Sequence, residues 1–400
     1  MYFGGCTEEK IQELKQVMGF EEGQFPMRYS GLSVSPTTWT KSDCQVMVEK
    51  ITARLNYWTS RNLSYDGRTL LVNTMLLNLN SYWASIFLIL QSVMQQVITV
   101  CRNYLWGKRQ NGKCWALVSW EDICCKHKEG GVNLKEPRKW NMALLGKQIW
   151  DLAQQKASLW IRWMHEYYLK GKSVWEYNVP QDSSWHMKKL MKIRDLLKGD
   201  VQKVPWHGNG GQTYTAKLGY QWLRGSKEKY QPASIICNNY SLPKHCFISW
   251  LAWKGRLLTA KRLEQMQLIV DDATCGLCQN DVDITDHLFF RCEHSQAIIA
   301  EMQDWLGITR RMHSLNAAGI SFIWKNNKIK RTVWYACLNA IIYCIWTERN
   351  ARRCGSGMLD AISRFELMKK EAVWKIQCKQ TRVKVQNQVF FFFLHKLGVI

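Results

Sequence analysis

The sequence predicts a mainly α-helical chain made of several folding units. Three features predict it. Apolar residues recur at three- and four-residue spacing through the first half. An apolar fraction of 46% with 21 Trp is ample for real cores in 400 residues. One Cys/His set at metal-ligand spacing stands in the second half.

From Cys44 the positions Cys44, Met47, Val48, Ile51, Leu55 and Trp58 form the stripe of one amphipathic helix, started after the turn at Pro36. Gly67 breaks the pattern, and Leu70 to Leu90 reads as core helix. The stretch Thr69 to Cys101 carries no charge, yet Asn73, Asn78, Asn80, Gln91, Gln95 and Gln96 interrupt it, which favours a buried helical pair over a membrane span. Trp140, Leu144, Ile149 and Leu152 mark a further helix after the Glu129-Gly130-Gly131 turn. The pattern weakens beyond Gly171, where Pro180, Pro205 and the run Gly208 to Gly211 mark loops, so residues 171–211 are expected to be a linker. That glycine run lacks the strand before it and the Gly-Lys-Ser/Thr after it that a phosphate cradle needs, and it reads as a plain loop. In the tail, Trp334, Leu338, Ile341, Ile342 and Ile345 predict one amphipathic helix.

Fifty-five Lys and Arg against 32 Asp and Glu leave a formal charge of +23, the electrostatic footprint of a protein that sits on polyphosphate or of a basic surface with no ligand. Residues 306–400 hold 17 Lys and Arg against 4 Asp and Glu, a net of +13. Fifteen scattered Cys argue against a disulfide framework and for reduced, buried thiols. The opening residues show no leader pattern, so an intracellular place, nucleus or cytoplasm, is expected. The run Phe390 to Phe393 is too short to cross a bilayer.

The chemistry is concentrated in CGLCQNDVDITDHLFFRC, where Cys275, Cys278, His287 and Cys292 follow a C-x2-C-x8-H-x4-C spacing. Three thiolates and an imidazole can close a tetrahedron around Zn2+, the short Cys pair gripping from a tight turn and the His-x4-Cys pair from the first turns of a helix. Gly276 is expected to permit the turn, and Leu288, Phe289 and Phe290 to form an apolar shell. His294 is the competing fourth ligand, but a Cys-x-His pair strains the geometry more. Closed coordination leaves no open position, so the zinc is expected to be structural. Cys114, Cys124, Cys125 and His127 form a second cluster, read as thiols in a core strand or turn because adjacent cysteines bind one ion poorly.

From Asp271 to Cys292 five Asp face one Arg, so this knuckle should itself repel phosphate. The nucleic-acid face is therefore expected on the flanks, at Lys244, Lys254, Arg256, Lys261 and Arg262 and in the basic tail. Trp250 and Trp253 read as core before they read as stacking platforms. Ile269-Val270-Asp271-Asp272 imitates a polymerase aspartate pair, but it lies three residues before a metal ligand with no strand-rich palm ahead of it.

These residues resemble the carboxy-terminal region of non-LTR (LINE-type) retrotransposon reverse transcriptases of plants. FPMRYSGL (Phe25 to Leu32) is similar to the family's segment after the palm. Leu55 to Trp83, KEGGVNL (Lys128 to Leu134) and WNMALLGKQIW (Trp140 to Trp150) resemble its thumb-like helices. Pro243 to Leu263 with the Cys/His set resembles the reverse-transcriptase zinc-binding domain, and WTERNARR (Trp346 to Arg353) the segment after it. Asp66, Ser30 and Lys126-His127 depart from the family's usual small apolar residue, Leu and Pro-Lys.

The resemblance implies a palm remnant over 1–38, a helical thumb-like region over 39–170, the linker over 171–211, the zinc-binding domain over 212–305 and a basic helical tail over 306–400. It places the endonuclease, fingers and palm aspartates before residue 1. It implies a nucleic-acid-binding fragment with structural zinc and no enzyme activity, with RNA or DNA as partner without strong sequence specificity, and neither membrane nor small-molecule substrate. A non-functional pseudogene product or a zinc-dependent protein-interaction module remain the alternatives.

Overall fold

The computed structural model describes residues 2–3, 6–29, 32–34, 40–59, 63–107, 115–198, 213–309, 312–320, 328–355 and 359–380. Ser30, Pro36, Cys114, Pro205, the run Gly208 to Gly211 and the run Phe390 to Phe393 lie outside them. The chain divides into two units. The first comprises Met1–Asn62, Arg68–Cys114 and Leu134–Ser226, and the second Leu63–Gly67, Trp115–Asn133 and Lys227–Ile400.

In the first unit the expected stripe is the buried face of helix Gln45–Thr59, with Cys44, Met47, Val48, Ile51 and Leu55 in the core and Trp58 half-buried. The uncharged stretch is a helical pair, Tyr65–Ile86 and Gln91–Trp106, with Gly67 inside the first turn and not at a break. No helix among the described residues is long and apolar enough to cross a membrane. The break between the pair falls at residues 87–90, where turning strands backbone groups away from any helical partner. Buried Asn141 meets them, its amide donating to Ala84 O (2.7 Å) and Phe87 O (2.8 Å) and its carbonyl accepting from Ile89 N (3.0 Å). Asn141 stands on helix Pro137–Ala153, which starts on Pro137 in its first turn and on the Glu136 carboxylate, acceptor to Arg138 N and Lys139 N. The sheet among the described residues is the small antiparallel hairpin Met27–Tyr29 with Leu32–Val34.

The expected linker is corrected here. Residues 185–198 form a helix, Trp185–Lys198, whose Met187, Leu190, Met191, Ile193 and Leu197 sit in one core with Leu145, Ile149, Leu152 and Tyr214. The four-residue rhythm is present, but Lys188, Lys189, Lys192 and Lys198 interleave with it and mask it.

The second unit is built on helices Pro243–Trp253, Glu293–Leu306, Lys328–Arg353 and Ala361–Gln380, which pack on one another. The basic tail is thus no appendage: Val333, Trp334, Cys337, Leu338, Ile341 and Ile345 of its long helix are core residues. Asn339, fully buried on that helix, donates to Ile235 O (2.9 Å), Ile236 O (3.1 Å) and Ser241 Oγ (3.0 Å), doing in this unit what Asn141 does in the first. Trp250 is core, its indole N–H donating to Gly130 O at 2.8 Å.

Helices Pro137–Ala153 and Ala216–Arg224 approach closely because each presents a glycine to the same phenol. Tyr214 Oη donates to Ala143 O at 2.8 Å between Gly146 and Gly219, and a Cβ on Gly219 would lie 2.5 Å from Tyr214 Cζ. In an open helix, Gly to Ala gains about 0.5–1 kcal/mol. Here overpacking at about 1–3 kcal/mol should win, so Gly219→Ala is expected to lower stability in urea unfolding, and a stabilised variant would show that the two helices can move apart.

Candidate metal centre

The Cys pair lies in a tight loop closed by its own backbone. Thr274 and Val282 form an antiparallel bridge, Cys275 N donates to Asp281 O (2.7 Å), Asp283 N to Ala273 O (2.9 Å) and Gln279 N to Cys275 O (2.9 Å). The left-handed position the turn requires is Gln279, φ 59, and not Gly276. Gly276 serves a different purpose: a Cβ there would stand 3.0 Å from Cγ of Arg353, so its bare backbone makes room for that side chain. The second pair comes from one wide turn, His287–Arg291, and from Cys292, whose N–H donates to His287 O at 2.8 Å and which caps helix Glu293–Leu306. Leu288, Phe289 and Phe290 are buried, as the apolar shell requires.

The structure brings Cys275, Cys278, His287 and Cys292 together, their donor atoms all within 4.8 Å of one another. Sγ of Cys275 and Cys292 are 4.0 Å apart, and Cys278 Sγ is 3.2 Å from His287 Nε2. Bond lengths of about 2.3 Å to sulfur and 2.0–2.1 Å to nitrogen give a zinc tetrahedron edges of roughly 3.6–3.8 Å. The observed separations bracket that value, so the donor set fits the ion with small side-chain adjustments. His294 stays out of the group; its ring lies 3.4 Å from the Arg352 guanidinium, and burial followed by that charge lowers its pKa.

The hydrogen bond from Cys275 to Cys292, then burial, pushes the Cys275 thiol up, and the same bond lowers Cys292. In this pair Cys275 is the donor and Cys292 the acceptor. On the outer side of His287, Nδ1 lies 3.0 Å from the Asp281 carboxylate. That contact is close without hydrogen-bond alignment, and Nε2 on the other side of the ring faces Cys278 Sγ.

What fastens the loop is Asp283, 0% exposed. Its Oδ2 accepts from Ala260 N (2.8 Å), from Arg353 Nη1 (3.0 Å) and from Arg349 Nη2. Arg352 donates to Leu277 O (2.9 Å) between the two cysteines, and Arg353 to Asp272 O (2.6 Å). Glu348, also buried, takes Arg352 (2.8 Å), Arg364 (2.9 Å) and Leu359 N (3.1 Å). WTERNARR is thus the clamp of the metal loop, and Asp281, Asp283, Arg349, Arg352 and Arg353 are site residues that sequence reasoning missed. Asp283 was counted among the repelling acids of the knuckle, and it is instead neutralised in the interior. Asp272 likewise accepts from Thr274 N (2.8 Å) and Thr274 Oγ1 (2.8 Å) in a loop, not on a palm-like hairpin.

The five candidate cations do not form one patch. Lys244 and Lys254 stand at opposite ends of helix Pro243–Trp253, about 15 Å apart at 1.5 Å per residue. Lys244 pairs with Glu371 (2.7 Å) over the Tyr343 ring, and Lys254 lies over Tyr230. Arg256 is half-buried beyond the helix end, while Lys261 and Arg262 share helix Ala260–Gln265 and reach Glu264 (3.3 Å) and Gln265 (3.4 Å). Cys124 and Cys125 are buried at a helix end, and Cys125 donates to Glu121 O at 3.2 Å.

Residues 214–298 match the family described as zinc-binding in reverse transcriptase. The chain is similar to an Arabidopsis thaliana protein named as a ribonuclease H protein, 28% identical over 182 residues that make up 45% of this chain and 29% of the relative. It is also similar to an uncharacterized mitochondrial protein of Arabidopsis thaliana, 24% identical over 117 residues, 29% of this chain and 76% of that relative. The match therefore spans under a third of the first relative's length. These findings bear out the resemblance to plant retroelement reverse transcriptases, and the family match contains all four Cys/His positions.

Two outcomes follow from the clamp and its surroundings. Asp283→Asn keeps the shape and removes the charge between two guanidinium groups; at about 3–5 kcal/mol for a broken buried pair, it should destabilise the second unit in urea unfolding with all four Cys/His positions intact. Buried His245, 2.9 Å from Glu371, is pushed down to about 4, burial outweighing the carboxylate. Its unfolded value is about 6.5, so both states are neutral above that pH and stability is full. As pH falls from about 6.5 to about 4 the unfolded chain takes a proton that the folded chain refuses, costing up to about 3 kcal/mol. His245→Gln should flatten that part of the stability profile, and an equal slope in parent and variant would count against it.

Proposed function

We propose that the chain is the carboxy-terminal part of a plant LINE-type retroelement reverse transcriptase, a nucleic-acid-holding region in which Cys275, Cys278, His287 and Cys292 bind one structural Zn2+. The observation that carries this reading is the convergence of those four donors within 4.8 Å inside the segment that matches the reverse-transcriptase zinc-binding family. Three thiolates and an imidazole complete a four-coordinate shell and leave no position for water or substrate. The ion supplies folding free energy, holding the loop in which Leu277 O, Asp281 and Asp283 meet their partners.

The order of segments along the chain, from the post-palm stretch to WTERNARR, supports the LINE-type assignment. The formal charge of +23 supports a polyphosphate partner, RNA or DNA, held without strong sequence preference. Lys254, Arg256, Lys261 and Arg262 are the phosphate contacts we favour, with Lys244 in a lesser part because Glu371 already holds it. The first relative is named for ribonuclease H, a chemistry that needs several carboxylates converging on metal ions. Our reading asks that of none of this chain's carboxylates and assigns the chain binding, not catalysis.

Metal analysis of the zinc-loaded chain should find one Zn2+, and Cys278→Ser should lose it. Because three thiols must ionise, zinc uptake near neutral pH should release about two to three protons, read by a pH-indicator titration. Retention of zinc by Cys278→Ser would refute the ligand set. For binding, the logarithm of affinity for a single-stranded RNA oligomer should fall with the logarithm of salt at about 0.7 per phosphate contacted. Replacing Lys254, Arg256, Lys261 and Arg262 by Gln should reduce that slope by up to about 3, and an unchanged slope would place the contacts elsewhere.

A further inference from the structure

In the first unit, helix Leu159–Met164 runs into a wide π-type turn, His165–Leu169. Its inner side buries Ile161, Met164 and Leu169 in the core. Its outer side carries Leu159, Trp163 and Tyr167, each four residues from the next, at 85%, 49% and 62% exposure. Large aromatic side chains ordinarily leave water when a core is at hand. These two instead face it already ordered: the rings of Trp163 and Tyr167 lie 5.5 Å apart at 9°, nearly parallel. Tyr168 stands edge-on behind both, 5.4 Å from Trp163 and 4.9 Å from Tyr167, and its hydroxyl is held by Ser184 Oγ at 3.2 Å.

Cations outnumber acids in this stretch, with exposed Glu166 standing between Trp163 and Tyr167 in the chain. Residues 156–198 hold nine Lys and Arg against four Asp and Glu. Lys156 is taken by Asp151 (2.7 Å) and Arg194 by Asp195 (2.6 Å). Arg162, Lys170 and Lys172 are exposed, and no ion pair joins them to an acidic side chain among the described residues. Lys170 (φ 46) and Gly171 (φ 81) turn the backbone at the end of the π turn, so that exposed Lys170 and Lys172 follow directly on the aromatic residues in the chain.

We infer that Trp163 and Tyr167 form a stacking platform for unpaired nucleobases, with Arg162, Lys170 and Lys172 taking phosphates of the same strand. The partner is chosen by its chemistry. A flat apolar face flanked by unneutralised cations matches a ligand that carries planar rings and anions together, which a single strand does at every nucleotide. Bases in a duplex are stacked on each other and present no face. The inference deepens the nucleic-acid reading proposed above and rests on it, but its contacts lie on the first unit, where none of the five flanking cations stands.

The test uses the full zinc-loaded chain, a fluorescent single-stranded 12-nucleotide oligouridylate and a 12-base-pair duplex. Trp163→Ala with Tyr167→Ala is expected to weaken single-strand binding about tenfold or more while leaving duplex binding and the salt slope as they were. Trp163→Phe with Tyr167→Phe, which keeps the ring faces, should retain most of the affinity and shows that the fold survives substitution there. Arg162, Lys170 and Lys172 changed to Gln should lower the salt slope by about 2 for the single strand. Single-strand affinity unchanged in the double alanine variant, with the parent chain binding measurably, overturns the platform and leaves the general reading standing. A parent chain that binds no nucleic acid overturns both. A parent chain that sediments as a dimer until Trp163 and Tyr167 are replaced overturns the platform by giving the patch to a second copy.

Discussion

The Asp283 carboxylate is shut off from water and met by a backbone amide and two guanidinium groups carried one helical turn apart on Lys328–Arg353. A single carboxylate taken from water costs several kcal/mol, and only close, well-aligned partners recover it. The position of the metal loop follows from that requirement. Asp283 lies between Cys278 and His287 in the chain, so fastening it fixes where the first ligand pair ends and the second begins. Arg352 on Leu277 O and the Gly276 backbone under Arg353 extend the same fastening to the cysteine turn. An ion in the site and the helix beside it therefore stabilise one geometry from two sides.

The same contacts change how the chain's positive charge is understood. Arg349, Arg352, Arg353 and Arg364, all within the tail that reads as the most basic stretch of the sequence, are turned to Asp283 and Glu348. Formal charge counts them as available for phosphate, and the structure does not. Cations outside such pairs include Arg162, Lys170 and Lys172 on the first unit, next in the chain to an open aromatic face, a combination that net charge alone does not single out.

Legibility in the sequence followed the range of the interactions. The helix at Gln45–Thr59 and the pair after it announce themselves because Cys44 to Leu55 and Val72 to Ala84 repeat within single turns, and the Cys/His set because its spacing is local. Helix Trp185–Lys198 escapes because its apolar positions are diluted by lysines on the solvent face, and proline and glycine on either side suggest a loop. The Asp283 clamp escapes for another reason: its partners are 66 and 70 residues away, and an acid in one segment with arginines in another looks like two solvated charges until the fold joins them. Gly276 shows a subtler limit, since a glycine between cysteines reads as a turn former while its real use is to leave room for Arg353.

The distance between ligands and clamp bears on the fate of copied genes. All four Cys/His codons lie before position 293, whereas Glu348, Arg349, Arg352 and Arg353 come more than fifty codons later. A stop or frameshift in that interval leaves every ligand encoded and removes the groups that neutralise Asp283, together with helices that form the unit's core. Counting cysteines is therefore a poor guide to whether a degenerate copy still folds; an open reading frame through codon 380, the end of the last core helix, is the better mark.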